Sequence, residues 1–394
     1  MEESNRMKRI PPYLFTIVDR LKKKVQENGQ TVIDLSMGNP DLPTPSHILE
    51  EMGAAIQDPV NHRYSKRDDG CEVELRKAIC YWYKKKFDVD LDFETEVVPL
   101  IGSKEGIAHM STAFLNPDDV ALVPSPAYPV HFNGVTMAGG ILHDLPLLKE
   151  NDFLPDVSKI PEDVLRSSKF MFLSYPHNPT TAIAEYSFYE NMVKWVRGKN
   201  IILASDAAYS DIVFDGHTAT SILQVPRAKD VAIEFHTLSK SYNMAGWRIG
   251  FAVGNPEVLA SLEKAKSYTD FGIFRPIQRA GIKALTSDQK CVTDLVATYK
   301  KRVDFFVKGL QSIGWFVDFP KATFYIWAEL PSQYKALSSL DFASLMLQKT
   351  GVAVAPGTGF GKYGEGYVRI ALMETIPRLG EALERIKDFL AEGI

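Results

Sequence analysis

The sequence predicts an α/β protein: a large, mostly parallel sheet with helices on both faces, plus a smaller α+β unit built from both chain ends. Three observations carry this expectation. Strand-like and helix-like segments alternate from about residue 46 to 275. Several of the strands, such as Phe170-Met171-Phe172-Leu173 and Ile201-Ile202-Leu203-Ala204, are unbroken apolar runs, the pattern of a strand buried on both faces. The chain has 394 residues, 45% of them hydrophobic, which is ample for a large core without disulfides or metals.

Each element has its own signal. Residues 12–28 read as an amphipathic helix, because Leu14, Ile17, Val18, Leu21 and Val25 recur at helical spacing. Lys22, Lys23 and Lys24 form a charge run read as its solvated face, and Asn28-Gly29 ends it. A short strand covers 31–35, after which Gly38-Asn39-Pro40-Asp41-Leu42-Pro43 breaks regular structure. Helical patterns cover 46–56, 71–87, 103–115 and 187–197. Strands are expected at 97–101, 120–123, 141–145, 169–174, 201–205, 231–237 and 248–253, the first running straight into the helix at 103. Beyond about 275 the alternation stops. A long helical stretch runs from 276 to 313, broken near Thr286-Ser287-Asp288. Strands at 315–319 and 323–329, a helix near 340–349, strands near 352–355 and 367–372 and an amphipathic helix at 376–391 follow. The segment 12–45 is too short to fold alone and is expected to pack on this last unit. The division expected is a large domain at 46–284 and a small domain from 1–45 plus 285–394.

Composition removes several classes of function. Lys+Arg 45 against Asp+Glu 49 leaves −4, so no global charge argues for nucleic acid or an anionic membrane. The three cysteines, Cys71, Cys80 and Cys291, form no CxxC pair, and the eight histidines form no HExxH, so no metal site is expected. The first residues carry no apolar stretch of signal-peptide type, and no apolar run is long enough to span a bilayer, so the cytoplasm is the expected compartment. The glycine-rich stretch Gly357-Thr358-Gly359-Phe360-Gly361-Lys362-Tyr363-Gly364 fails both the dinucleotide fingerprint and the P-loop, since Lys362 stands where the former needs glycine and Tyr363 follows the lysine of the latter.

What remains is Thr237-Leu238-Ser239-Lys240-Ser241-Tyr242-Asn243-Met244-Ala245-Gly246-Trp247-Arg248-Ile249-Gly250. Lys240 stands at the carboxyl end of an apolar strand, where ligands of open α/β sheets bind. A lysine in partly apolar surroundings there loses its proton more easily and can form a Schiff base with a carbonyl.

This segment closely resembles the lysine segment of class I aminotransferases, the fold type I enzymes of pyridoxal 5′-phosphate. The resemblance spans essentially the whole chain through an ordered set: Gly38-Asn39-Pro40-Asp41, Tyr64, Gly102-Ser103-Lys104-Glu105, Pro126-Ala127-Tyr128-Pro129, Pro176-His177-Asn178-Pro179-Thr180, Ser205-Asp206-Ala207-Ala208-Tyr209, Ser239-Lys240 with Arg248, and Val368-Arg369. It implies that Lys240 holds the cofactor and shuttles the substrate's proton, and that Asp206 keeps the pyridine nitrogen protonated. Asn178 and Tyr209 would bond the cofactor's phenolic oxygen, and Tyr128 would stack on its ring. Ser103, Lys104, Ser239 and Arg248 would form the phosphate cup, with Tyr64 reaching the phosphate of a neighbouring subunit. Arg369 would pair with the substrate's α-carboxylate, helped by the Gly38 backbone and Asn178. Taken alone, Asp206 also fits a helix N-cap, Asn178 an Asn-Pro turn, and Arg369 an edge strand facing water. Members of the family often carry glycine after Asn-Pro-Thr, whereas Thr181-Ala182 stands here, which leaves the local turn geometry open.

The implied reaction is ping-pong amino-group transfer between an L-amino acid and a 2-oxo acid in a homodimer with shared active sites. The segments Pro11-Pro12-Tyr13-Leu14-Phe15 and Ser36-Met37-Gly38-Asn39-Pro40-Asp41 look most like bacterial glutamate–pyruvate (alanine) aminotransferases, with LL-diaminopimelate aminotransferases close by. The expected pair is therefore alanine/glutamate with pyruvate/2-oxoglutarate, and LL-diaminopimelate is the second reading. A fold type I C–S lyase or decarboxylase is the rival within the same chemistry. A ligand-sensing regulator ranks last, because only about 45 residues precede the large domain.

Overall fold

The computed structural model describes residues 1–393, apart from the side chain of Phe15. Its strands are β1 (Ile33–Asp34), β2 (Val97–Leu100), β3 (Val120–Ser125), β4 (Ile141–Pro146), β5 (Ser168–Ser174), β6 (Ile202–Asp206), β7 (Ala232–Thr237), β8 (Gly250–Gly254), β9 (Tyr325–Glu329), β10 (Val352–Ala353), β11 (Ala355–Pro356) and β12 (Tyr367–Ala371). Seven of them form one sheet in the order β2-β8-β7-β6-β5-β3-β4. The pairs β3–β4, β3–β5, β5–β6 and β6–β7 are parallel, and β8 alone runs against its neighbours β2 and β7.

The unbroken apolar runs have the expected cause. Along β5, Met171 and Leu173 join the core under the helices Gly70–Phe87, Tyr186–Val196 and Arg275–Thr286, while Phe170 and Phe172 join the core under Ser103–Phe114, Val130–Ala138 and Pro256–Ser267. Alternate side chains face opposite sides of a strand, so a strand covered on both faces needs apolar residues at every position. A third core gathers Ile33 and Leu35 with Phe306, Trp315, Ile326, Val368 and Phe389. There β1 pairs in parallel with β10, and β11, β12 and β9 form an antiparallel sheet with β12 in the middle. No described helix is long and apolar enough to cross a membrane.

Three local expectations are corrected. Residues 315–319 are not a strand: Trp315 and Val317 are buried and Phe316 and Phe319 exposed, but no neighbouring strand pairs with them, and the apolar alternation reflects a loop lying on the core. Lys22 is not part of a solvated face, because its ammonium lies 2.6 Å from both Asp19 and Asp34. The helices Val130–Ala138 and Pro256–Ser267 were not anticipated. The first is built from poor helix formers (Val, His, Asn, Gly, Thr) and forms through packing on Ser103–Phe114. The second did carry a start signal, Asn255 capping the Val258 N–H ahead of Pro256.

Candidate active site

The parallel strands end where the chemistry-bearing residues gather. β6 delivers Asp206, β7 leads into the short helix Leu238–Ser241 with Lys240, and β2 leads through Gly102 into the helix Ser103–Phe114. From the other side, β12 and β9 deliver Arg369 and Tyr325 on neighbouring strands, diagonally related with Arg369 opposite Trp327 and Tyr325 opposite Ala371. Together they line a cleft of about 220 Å³ that opens to solvent. Of the residues singled out from sequence, Gly38, Ser103, Lys104, Tyr128, Asn178, Asp206, Tyr209, Ser239, Lys240, Arg248 and Arg369 all line it. Tyr64 does not. It stands 72% exposed on the outer surface, its ring 4.6 Å from that of Phe271.

Lys240 donates from Nζ to the Gly38 carbonyl at 2.8 Å. Burial, then the positive charges of Arg369 and Arg248, lower its pKa from 10.5 to about 7. Much of the population therefore holds a neutral, nucleophilic amine at physiological pH.

Asp206 is 6% exposed, and its Oδ1 accepts from the Ala208 N–H at 3.2 Å. Its Oδ2 lies 3.3 Å from Nε2 of the buried His131, close enough for a charge contact but not aligned as a hydrogen bond. His131 sits on the helix Val130–Ala138 against the Phe172 ring, and it is a neighbour of the site that sequence reading missed.

At the other end of the cleft, Gly102 has φ +76°, and a Cβ there would sit 2.4 Å from an Arg248 nitrogen. The glycine thus lets the guanidinium lie against the start of the helix. The unbonded first-turn N–H groups of that 12-residue helix, its dipole, Ser103, Ser239 and Arg248 make a cup suited to a phosphate-like anion.

Arg369 is 2% exposed, so the edge-strand alternative falls. Its Nη1 donates to Asn178 Oδ1 and its Nη2 to the Ser36 carbonyl, both at 2.8 Å. Its guanidinium lies between the rings of Tyr325 (4.2 Å) and Phe360 (4.7 Å). Asn178 is thereby tied to Arg369, whatever else it binds. The turn after it survives the missing glycine. Thr181 adopts φ 64°, the left-handed conformation glycine favours, and the backbone bonds from Thr181 N–H to His177 and from His177 N–H to Ala182 close the turn.

Tyr209 is buried, and its hydroxyl meets that of Tyr325 at 2.9 Å. Burial, then Tyr325, push its pKa well above 10, so it stays a neutral donor. Tyr128 lies beside Lys104, whose ammonium is 5.7 Å from its ring centre and 5.5 Å from that of Tyr13. Tyr13, Met37 and Tyr325 line the cleft too and were not anticipated. Their signal was faint, since an aromatic or methionine in a loop or strand is more often packing than site.

The comparisons with known proteins agree with this geometry. The family described as aminotransferase class I and II matches residues 30–386. The LL-diaminopimelate aminotransferase of Moorella thermoacetica is 45% identical over 392 residues, covering 100% of this chain and 99% of that protein. The glutamate-pyruvate aminotransferase AlaC of Escherichia coli is 46% identical over 390 residues, covering 99% and 94%. Among solved structures, substrate-bound BacF from Bacillus subtilis superposes with a TM-score of 0.94 at 37% identity, covering 99% of this chain and 98% of that one. With a strand-end lysine, a buried arginine fork and full-length matches of this kind, the chain belongs to the class I and II aminotransferases, with the fold type I architecture.

Proposed function

We propose that the cleft binds pyridoxal 5′-phosphate and that the protein moves an amino group between an L-amino acid and a 2-oxo acid by a ping-pong cycle. The observation that carries this is the meeting of Lys240, with its near-neutral pKa, and the buried Arg369 fork in one cleft. The donor set fits such a cofactor: an amine for the aldehyde, the Asp206 carboxylate for the ring nitrogen, and the cup at Gly102-Ser103 with Ser239 and Arg248 for the phosphate. Bound there, the cofactor supplies a carbonyl that takes up the amino group and a ring that accepts the electron pair left at Cα. Lys240 then acts as base and acid, removing the proton from the substrate's Cα and returning it on the far side of the transfer. Arg369 holds the α-carboxylate, which both substrates share. Tyr209 and Asn178 hold the cofactor's phenolic oxygen, and Tyr128 covers the ring.

Two outcomes test these roles. Capture of pyridoxal 5′-phosphate by the cofactor-free protein, followed by visible absorbance, should rise with pH through a midpoint near 7. The sign follows from the neutral amine being the nucleophile: burial, Arg369 and Arg248 all favour deprotonation, and below the midpoint the protonated lysine is inert. A midpoint near that of an ordinary lysine would refute the assignment. Asp206→Asn keeps the shape and removes the charge, so it should lower kcat by at least ~10²-fold, the scale of one preorganised electrostatic partner. Cofactor affinity should fall far less, and a variant with near wild-type kcat would show that another group serves the ring nitrogen.

For the substrate, the relatives favour LL-diaminopimelate over the alanine/glutamate pair. The cleft is compatible with a long donor bearing a distal carboxylate. Lys104 lines it between Tyr13 and Tyr128, and among the described residues no carboxylate lies within salt-bridge distance of its ammonium. We take LL-diaminopimelate with 2-oxoglutarate as the first pair to try, and alanine/glutamate as the second. Mixing holoenzyme with LL-diaminopimelate, L-glutamate or L-alanine and following the loss of its visible absorbance ranks them directly. An enzyme converted by alanine but not by LL-diaminopimelate would reverse the order.

The working unit we propose is a homodimer, with the large domain at 46–284 and the small domain at 1–45 plus 285–394. Support comes from an exposed aromatic patch, Tyr64, Tyr268, Phe271 and Phe274, of a kind monomers seldom leave to water. In the dimer Tyr64 would reach the partner's phosphate cup.

A further inference from the structure

We infer that Tyr325 is a positioning residue with two separable parts: its hydroxyl aims the proton of Tyr209 into the site, and its ring forms the floor on which Arg369 holds the substrate carboxylate. The inference rests on the roles proposed above for Tyr209 and Arg369.

The geometry is specific. Tyr325 lies on β9, 2% exposed, beside Arg369 on β12. Its ring centre is 4.2 Å from the guanidinium carbon, a stacked cation–π contact away from bulk water. Its hydroxyl meets Tyr209 at 2.9 Å across the cleft. The hydroxyl also presses on the loop that receives Lys240. A Cβ on Gly38 would sit 1.8 Å from it, and the Gly38 carbonyl is the acceptor for Lys240 Nζ. One side chain therefore touches the carboxylate fork, the phenol and the lysine's acceptor loop.

Proton counting sets the direction of the Tyr209–Tyr325 bond. Each phenol has one proton. If Tyr209 donates to a cofactor oxygen, it cannot also donate to Tyr325, so Tyr325 must donate to the Tyr209 oxygen. A hydroxyl that accepts such a bond is a stronger donor at its other side. The ionisable groups around the pair are Arg369, Tyr128 and Tyr299, with Lys240 beyond Gly38, and burial keeps Tyr209, Tyr128 and Tyr299 neutral.

The test uses holoenzyme loaded with pyridoxal 5′-phosphate and two variants. Tyr325→Phe removes only the hydroxyl. The pH midpoint of the visible absorbance should rise by about half to one unit, the scale of one neutral hydrogen bond, because a weaker Tyr209 donor stabilises the deprotonated chromophore less. In a Tyr209→Phe background the same change should move the midpoint no further. Tyr325→Leu also removes the ring, and affinity for an unreactive amino acid, its α-hydrogen replaced by methyl, should fall ~5–30-fold, a desolvated cation–π contact. Tyr325→Phe should leave that affinity within about twofold of wild type, since the ring stays under Arg369. An unmoved midpoint in Tyr325→Phe, or an equal shift with and without Tyr209, overturns the hydroxyl's part, and equal affinities of the Leu and Phe variants overturn the ring's. A wild-type protein that takes up no cofactor would sink the reading beneath it instead, so the two failures are distinguishable.

Discussion

Lys240→Ala is expected to lower steady transamination by at least ~10⁴-fold, the scale of losing a group that is both nucleophile and acid–base catalyst. The short helix Leu238–Ser241 does not depend on this side chain: Thr237 caps it at Ser239, and the Ser241 hydroxyl bonds Asp211. Among the described residues, the one hydrogen bond of Lys240 is to the Gly38 carbonyl, which lines the cleft and can turn to water. The variant should therefore fold, with thermal stability equal to wild type or somewhat higher, since a buried amine carrying charge part of the time is removed. It should still take up pyridoxal 5′-phosphate through Asp206, Tyr128 and the phosphate cup, but without the absorbance of a covalently held cofactor. Added methylamine should restore a small part of the proton transfer, because the cavity left behind has the size of the lost group. A variant that keeps wild-type turnover would mean that another amine does the work, and among the cleft-lining residues Lys104 is the alternative to examine.

How much of this was readable beforehand differs between elements for physical reasons. The parallel sheet was legible because strands buried on both faces announce themselves as apolar runs, and all seven of its strands begin and end within two residues of expectation. The largest departures are two residues: β3 continues through Ser125, as its pairing with β4 extends past the apolar run, and β8 starts at Gly250 rather than at 248. The ligand end of the sheet was legible too, since Asp206, Lys240 and Gly102 follow directly from strand ends. Contacts that close the site from the far side were not. Tyr325 and Arg369 stand 44 positions apart in the chain and are brought together by strand register alone, Arg369 opposite Trp327 and Ala371 opposite Tyr325. His131 behind Asp206 lies on a helix whose local sequence disfavours helix, so nothing local betrayed it. Thr181 shows the opposite case. A residue that looked like a departure in the sequence keeps the left-handed backbone of the glycine it replaces, and the neighbouring hydrogen bonds hold it there.

Arg369→Ala should raise the apparent Kd or KM for amino-acid and oxo-acid substrates alike, by ~2–5 kcal/mol, or roughly 30- to 5000-fold. The equality is the informative part. Both substrates share the α-carboxylate and differ at Cα, so a residue that binds only the former must penalise both by the same factor. The magnitude follows from the site: the guanidinium is 2% exposed, gripped by Asn178 and the Ser36 carbonyl and held between two aromatic rings, so it presents its fork without reorganising. Truncation also leaves Asn178 Oδ1 and the Ser36 carbonyl without their donor, which should cost ~1–3 kcal/mol of stability and must be measured separately by thermal unfolding. Arg369→Lys should recover only part of the affinity, because a point charge cannot make two parallel contacts. Removing Arg369 should also raise the pKa of Lys240, since one of the two charges that depress it is gone, so cofactor capture should shift to higher pH in the alanine variant and much less in the lysine one. Simple amines without a carboxylate should react at nearly the wild-type rate with either variant at a pH above the shift. Unchanged kcat/KM for glutamate and for LL-diaminopimelate in Arg369→Ala, or loss of cofactor rather than of substrate affinity, would remove Arg369 from the carboxylate site and leave the fork in search of another anion.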